Sequence, residues 1–142
     1  MYEAEYGVDV RPLTGGGAAG GLAGGLAAIG ATLVDGFDLV ADELDLALAI
    51  EETDLVVTGE GYLDAESFCG KVVGGVAGLA HEVDVPVLAV VGAVDPDLDP
   101  SLVAGIDVVS LTAEFGEERA RSDTTELVAA VVAAHLGRSI RP

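Results

Sequence analysis

Four short runs rich in Val, Leu and Ile (Ala31–Val34, Asp54–Thr58, Val85–Val91 and Asp107–Leu111) alternate with segments of helical period, and this alternation most narrows what the chain can fold into. Strands buried on both faces read as near-continuous apolar runs, and parallel strands need crossover segments between them. The pattern predicts an α/β region with a mostly parallel sheet and helices on both faces, a three-layer arrangement of Rossmann type. Val8–Leu13 is a weaker fifth strand. Helices are expected at Ala18–Ile29, Leu39–Ile50, Lys71–Glu82 and Thr124–Leu136, the last capped by Ser122 or Asp123. Leu102 to Gly105, after Pro100, reads as a short turn of helix. Ala113–Ser122, with Glu114, Glu117 and Glu118 beside Arg119 and Arg121, reads as an exposed polar loop or helix start.

A chain of 142 residues suits a single region, 1–142, with one core. That core must be built from Ala, Val and Leu, because 51% of residues are hydrophobic but only 4% aromatic. This apolar content excludes a disordered chain despite a net charge of −19. Six basic residues against 25 acidic ones make nucleic acid a poor partner, and the same sign disfavours an anionic membrane surface. No apolar run approaches the roughly 18 residues of a spanning helix, and MYEAEYGVDV lacks the basic and apolar regions of a secretory signal, so a cytoplasmic protein is expected. Cys69, the single cysteine, excludes an internal disulfide and reads as a small buried or half-buried thiol. Lys71 is the single lysine beside 13 Asp and 12 Glu, a balance that self-repels unless salt screens it and that suits a halophilic, high-salt cytoplasm.

Two segments carry candidate chemistry. Gly15, Gly16, Gly17, Ala18, Ala19, Gly20 and Gly21 follow Thr14 at a loop-to-helix junction, where backbone N–H groups can face a phosphate with no side chain intervening. Close packing of the helix on a neighbour explains the same small residues. Gly15, Gly17 and Gly20 also satisfy a G-x-G-x-x-G spacing, but Asp35 comes only 15 residues after Gly20, too early for the ribose-binding acid of a dinucleotide site.

The second segment runs from Thr58, Gly59, Glu60 and Gly61 through Tyr62 and Asp64 to Gly70 and Lys71, beginning where a predicted strand ends. Ligands of open α/β sheets bind outside the carboxyl ends of strands. Glu60 and Asp64 supply hard oxygens of the kind that hold Mg²⁺ alongside waters and phosphates, and Lys71 can neutralise a phosphoryl oxygen. A solvated strand-to-helix turn is the plainer alternative. The segment is not a Walker A loop, since Ala65 and Val72 stand where that motif requires Gly and Ser or Thr. His81 and His135 lie on predicted helices without a second ligand at i+4, and Asp95, Asp97 and Asp99 read as a solvated turn.

Taken together, these residues resemble the C-terminal part of the class I glycerate kinases, from about Gly7 to Leu136. Gly17-Ala18-Ala19-Gly20-Gly21-Leu22 is similar to that family's GAGAAGGLG segment. Asp54 to Gly61, with Leu63-Asp64 and Gly70-Lys71, is similar to its DLVITGEGRLDxQTxxGK segment, and Gly75-Val76-Ala77, Val85-Pro86-Val87 and Ala104 to Asp107 continue the pattern in order. The resemblance implies ATP- and Mg²⁺-dependent phosphorylation of D-glycerate, usually to 2-phosphoglycerate. It places Gly17 to Gly21, Thr58 to Gly61, Asp64 and Lys71 in the family's interdomain cleft. Glu60 or Asp64 would then hold metal or orient the hydroxyl, and Lys71 would stabilise the transferring group.

Two positions depart from the family pattern: Tyr62 replaces an Arg and Glu66 a Gln. The family's N-terminal half, with its APDSFKGS-like and ADGGEGT-like segments, has no counterpart here. The expected fold is therefore partial, and a separate N-terminal polypeptide or a second copy is the expected partner for activity. A non-catalytic remnant or a phosphate-metabolite binding module is the alternative.

Overall fold

The computed structural model describes residues 2–139. They form two compact units, one ending at Leu39 and the other beginning at Val40.

The first unit contains α1 (Tyr2–Tyr6) and α2 (Ala18–Ala28). Val8–Leu13 is a turn rather than a strand: Gly16 and Leu13 donate backbone bonds to Leu13 and Val10, while the Arg11 guanidinium grips Asp9 at 2.7 Å. That hydrogen-bonded grip lowers the Asp9 carboxyl below its ordinary value. Ala31–Val34 is also not a strand. The Ala31 and Gly30 N–H groups bond back to Leu26 and Ala27, closing α2 with a Schellman motif around Gly30 at φ +101°. The run is thus drawn into a helix cap, and Thr32 and Val34 are left exposed.

The single helix expected at Leu39–Ile50 is two, α3 (Gly36–Glu43) and α4 (Leu46–Glu51). The break falls at Asp45, whose φ of +50° is a left-handed conformation that Asp adopts more readily than bulkier residues.

In the second unit the chain continues through β1 (Val56–Thr58), β2 (Tyr62–Leu63), α5 (Val72–Glu82), β3 (Val87–Val91), β4 (Ala93–Val94) and β5 (Ile106–Ser110). It ends in α6 (Leu111–Phe115), α7 (Glu117–Ser122) and α8 (Thr124–Ser139). The main sheet is parallel in the order β1-β3-β5, with Thr58 opposite Ala89 and Ala89 opposite Val108. All five residues of β3 are buried, as a central strand requires. Successive side chains of a strand point to opposite faces. Accordingly, Leu88 and Val90 pack with Leu111, Ala120, Leu127 and Val131 from the C-terminal helices, whereas Ala89 and Val91 pack with Leu63 and Val73. Helices on both faces of a parallel sheet confirm the α/β expectation. The two-residue parallel pair β2-β4 was not legible as strand, because neither segment is long enough to show a period.

The ends of the elements follow local chemistry. Lys71 is the extended residue before α5. Asp84, at φ +57°, closes α5 as Gly30 closes α2, with Val85 bonding back to Ala80. The turn expected at Leu102–Gly105 is a 3₁₀ helix at Pro100–Val103, capped by Asp99, which accepts the Ser101 N–H at 2.9 Å and titrates lower than usual as a result. The polar stretch 113–122 is helical on both sides of Gly116, whose φ of +83° separates α6 from α7. No helix among the described residues is long and apolar enough to cross a membrane.

Candidate functional site

At the carboxyl end of the main sheet, the chain leaving β1 runs beside the chain leaving β3. The Gly92, Ala93 and Asp95 N–H groups bond to the carbonyls of Glu60, Gly61 and Leu63 at 3.0, 3.1 and 2.9 Å. Thr112, just past β5, donates to Gly92 at 2.9 Å, so three strand ends are tied side by side. Two glycines permit this approach. A Cβ at position 59 would run into the Val90 carbonyl oxygen, and one at position 92 into that of Gly61.

These strand ends line an open cleft of about 1040 Å³ with Gly59, Glu60, Gly61, Tyr62, Thr112 and Arg121 on its walls. Glu60 Oε1 is buried and has no hydrogen-bond partner among the described residues. Leaving a buried acceptor unpaired costs about 1–3 kcal/mol, more for a charged group, so this atom is a candidate acceptor for a bound group. On the same cleft wall, partial desolvation and then the Asp95 carboxylate raise the Tyr62 phenol above its ordinary value.

Thr58 ends β1, and Asp64 and Lys71 stand on the segment that follows β2 rather than on the cleft wall. Asp64 forms a reciprocal cap: the Ser67 N–H donates to its Oδ1 at 3.1 Å and the Ser67 hydroxyl accepts the Asp64 N–H at 3.0 Å. Lys71 Nζ pairs with Glu66 Oε2 at 3.1 Å. That hydrogen bond, aided by the Glu66, Asp64 and Glu60 charges against a desolvation effect, raises the Lys71 ammonium above its ordinary value. The interaction is thus fully present below the usual lysine value and lost as pH rises through the raised one. Glu60, Asp64 and Lys71 accordingly share one electrostatic neighbourhood. Among the described residues no three His, Cys, Asp or Glu side chains form a metal cage. What the carboxylates present match is the looser mode in which Mg²⁺ keeps waters and takes one or two protein carboxylates with phosphate oxygens. Cys69, expected to be at least half-buried, is exposed, because the 3₁₀ turn Ala65–Phe68 ends there and the chain turns at Gly70, φ +74°.

The glycine segment of the first unit divides by role. Gly16 and Gly24 are packing positions: a Cβ at 24 would lie 2.7 Å from the Gly16 carbonyl oxygen. Gly15, Gly20 and Gly21 take left-handed conformations with open space around them, and Ala19 joins them at φ +52°, so the expected continuous helix from Ala18 is interrupted and resumes at Leu22. The Gly16, Ala18 and Gly21 N–H groups are bonded to Leu13, Gly15 and Gly17, whereas Gly17 has no neighbour crowding its Cα.

Thr112, Glu117, Arg121 and Thr124 were missed by reasoning from the sequence. The available signal was the Glu117–Arg121 spacing of four, one helical turn, which the structure shows as an ion pair of 2.9 Å.

Residues 1–140 match the profile of the Glycerate kinase family. The chain is 41% identical over 103 residues to Glycerate 2-kinase of Escherichia coli K12, covering 72% of this chain and 27% of that protein. It is 37% identical over 110 residues to a glycerate kinase of Bacillus subtilis 168, covering 77% and 29%. The crystal structure of a Salmonella typhimurium LT2 chain provisionally named glycerate kinase 2 superposes with a TM-score of 0.55 at 36% identity, covering 99% of this chain and 37% of that one. The chain thus spans between a quarter and two fifths of the length of these relatives.

Proposed function

The chain belongs to the glycerate kinase family, and on that premise we propose that it supplies part of an ATP- and Mg²⁺-dependent kinase that converts D-glycerate to 2-phosphoglycerate. The observation carrying this reading is the buried, unpartnered Glu60 Oε1 in a cleft at the carboxyl end of the sheet. A substrate hydroxyl donating to that oxygen satisfies it. The hydroxyl oxygen then attacks the γ-phosphorus of ATP; a new O–P bond forms as the bond to the β–γ bridging oxygen breaks, ADP departs, and the hydroxyl proton passes to Glu60.

Lys71 is the charge stabiliser in this reading. Its pair with Glu66 is surface-exposed and therefore weak, so the ammonium can exchange that partner for a phosphoryl oxygen. Asp64, or Glu60 itself, would hold Mg²⁺, which when bound neutralises phosphate charge. On the first unit, Gly15 to Gly21 would serve as an anion cradle for the nucleotide; on the second, backbone groups of Thr58 to Gly61 would face phosphate. The reaction belongs to the cytoplasm, and the charge of −19 calls for salt during assay.

The rest of the cleft comes, in this proposal, from a polypeptide supplying the remaining family length. Leu22, Leu26 and Ile29 support it: they are 61%, 44% and 66% exposed at spacings of four and three along α2, an apolar stripe that a partner would cover. The test is Mg²⁺- and ATP-dependent phosphorylation of D-glycerate in molar KCl, with the chain alone and with that polypeptide added. Turnover on recombination is expected. No turnover in either case, from a folded chain, would favour a phosphate-metabolite binding module. Lys71→Met is expected to reduce kcat about 100-fold or more with an unchanged unfolding midpoint, since Lys71 is half-exposed. Steady-state kinetics beside a thermal melt checks this, and undiminished turnover would remove Lys71 from the mechanism.

A further inference from the structure

The cleft that holds Glu60 is also walled by a helical stripe, Glu117, Ala120, Arg121, Thr124 and Val128, running along α7 into α8. Its charged walls are Glu60, Glu117 and Arg121. Among the cations of this unit whose side chains are described, Lys71 pairs with Glu66, and Arg119 lies 5.9 Å from the Phe115 ring and pairs with Asp123. Arg121 is the one that lines the cleft. We infer that Arg121 anchors the carboxylate of a small hydroxy acid whose hydroxyl reaches Glu60. This rests on the kinase reading and adds to it the residue that recognises the acid.

Charge makes the anchor necessary. In a chain of net charge −19, an anion entering a cleft beside two glutamates is repelled unless a cation meets it. A guanidinium suits the task, because its planar fork matches a carboxylate with two parallel hydrogen bonds. Its present partner can be displaced: the Arg121 and Glu117 side chains are 80% and 71% exposed, and an exposed pair of this kind contributes little. Glu117 therefore acts as a stand-in for the substrate carboxylate and competes with it. Lys71 and Arg121 then divide the anions of the reaction, the first serving the phosphoryl group and the second the acid.

Calorimetric titration of the chain combined with the polypeptide that supplies the remaining family length, using D-glycerate and uncharged glycerol as control, tests the assignment at one fixed KCl concentration. Arg121→Gln is expected to weaken D-glycerate binding about tenfold or more, Arg121→Lys to keep an intermediate affinity, and Glu117→Gln to tighten it. Glycerol binding and the melting midpoint should be indifferent to all three. D-Glycerate binding by Arg121→Gln equal to that of the unsubstituted chain would overturn the anchor while leaving the kinase reading intact. No D-glycerate binding by the unsubstituted chain combined with that polypeptide would overturn both.

Discussion

Gly59→Ala is expected to destabilise the chain by about 3 kcal/mol and to lower its melting midpoint by about 10 °C. The added methyl would run into the Val90 carbonyl oxygen, directly after the last paired residues of β1 and β3. Neither side can yield cheaply, because Val90 belongs to the fully buried central strand and its side chain packs among Leu111 and Leu127. Gly92→Ala should behave alike, since its methyl would meet the Gly61 carbonyl oxygen. Gly61→Ala is the control: a Cβ there meets nothing within 4 Å, so the change should fall within about 0.5 kcal/mol. Thermal and urea melts of the three variants decide the matter. Equal midpoints for Gly59→Ala and Gly61→Ala would show that the strand ends are more widely spaced than described.

Glu60→Gln should separate activity from stability. Phosphorylation of D-glycerate by the recombined system is expected to fall about 10²–10⁴-fold, the ordinary range for removing a positioned base. Stability should hold or rise by about 1 kcal/mol, because the substitution removes the charge from a carboxylate whose buried Oε1 has no partner among the described residues. Steady-state rates and a denaturant midpoint from the same preparation test both halves. A variant that loses stability along with activity would mark Glu60 as a structural group; one that keeps full turnover would exclude it from the chemistry.

The central sheet was the most legible part of the molecule. Val85–Val91 announces a buried parallel strand because a strand covered on both faces must be apolar throughout, Asp107–Leu111 announces a partly buried neighbour, and the observed strands differ only at their ends. Ala31–Val34 shows the limit of the same rule. Its composition suits a strand, yet the Gly30 cap takes its first N–H and no strand among the described residues pairs with it. Strandedness is a property of partners as well as of residues. The Thr58–Gly61 segment was visible because it pairs a strand end with two glycines and a carboxylate. Arg121 was hidden for a different reason: it stands about 60 residues away in a stretch that looks like solvated charge, and only the chain's return past Gly116 brings it to the cleft wall.

The narrowness of the main sheet has a consequence for how copies of this chain meet. Among the described residues, β1 and β5 each pair on one side only, leaving two outward rows of backbone donors and acceptors that could template a strand from another molecule. Asp54 just before β1 and Asp107 within β5 place exposed carboxylates at these borders, where like charges oppose edge-to-edge stacking. Salt that relieves crowding among acids inside one molecule also mutes the repulsion between two. Ionic strength high enough to screen the acids within one molecule thereby loosens its protection against self-assembly, and the borders of the sheet are where that trade is made.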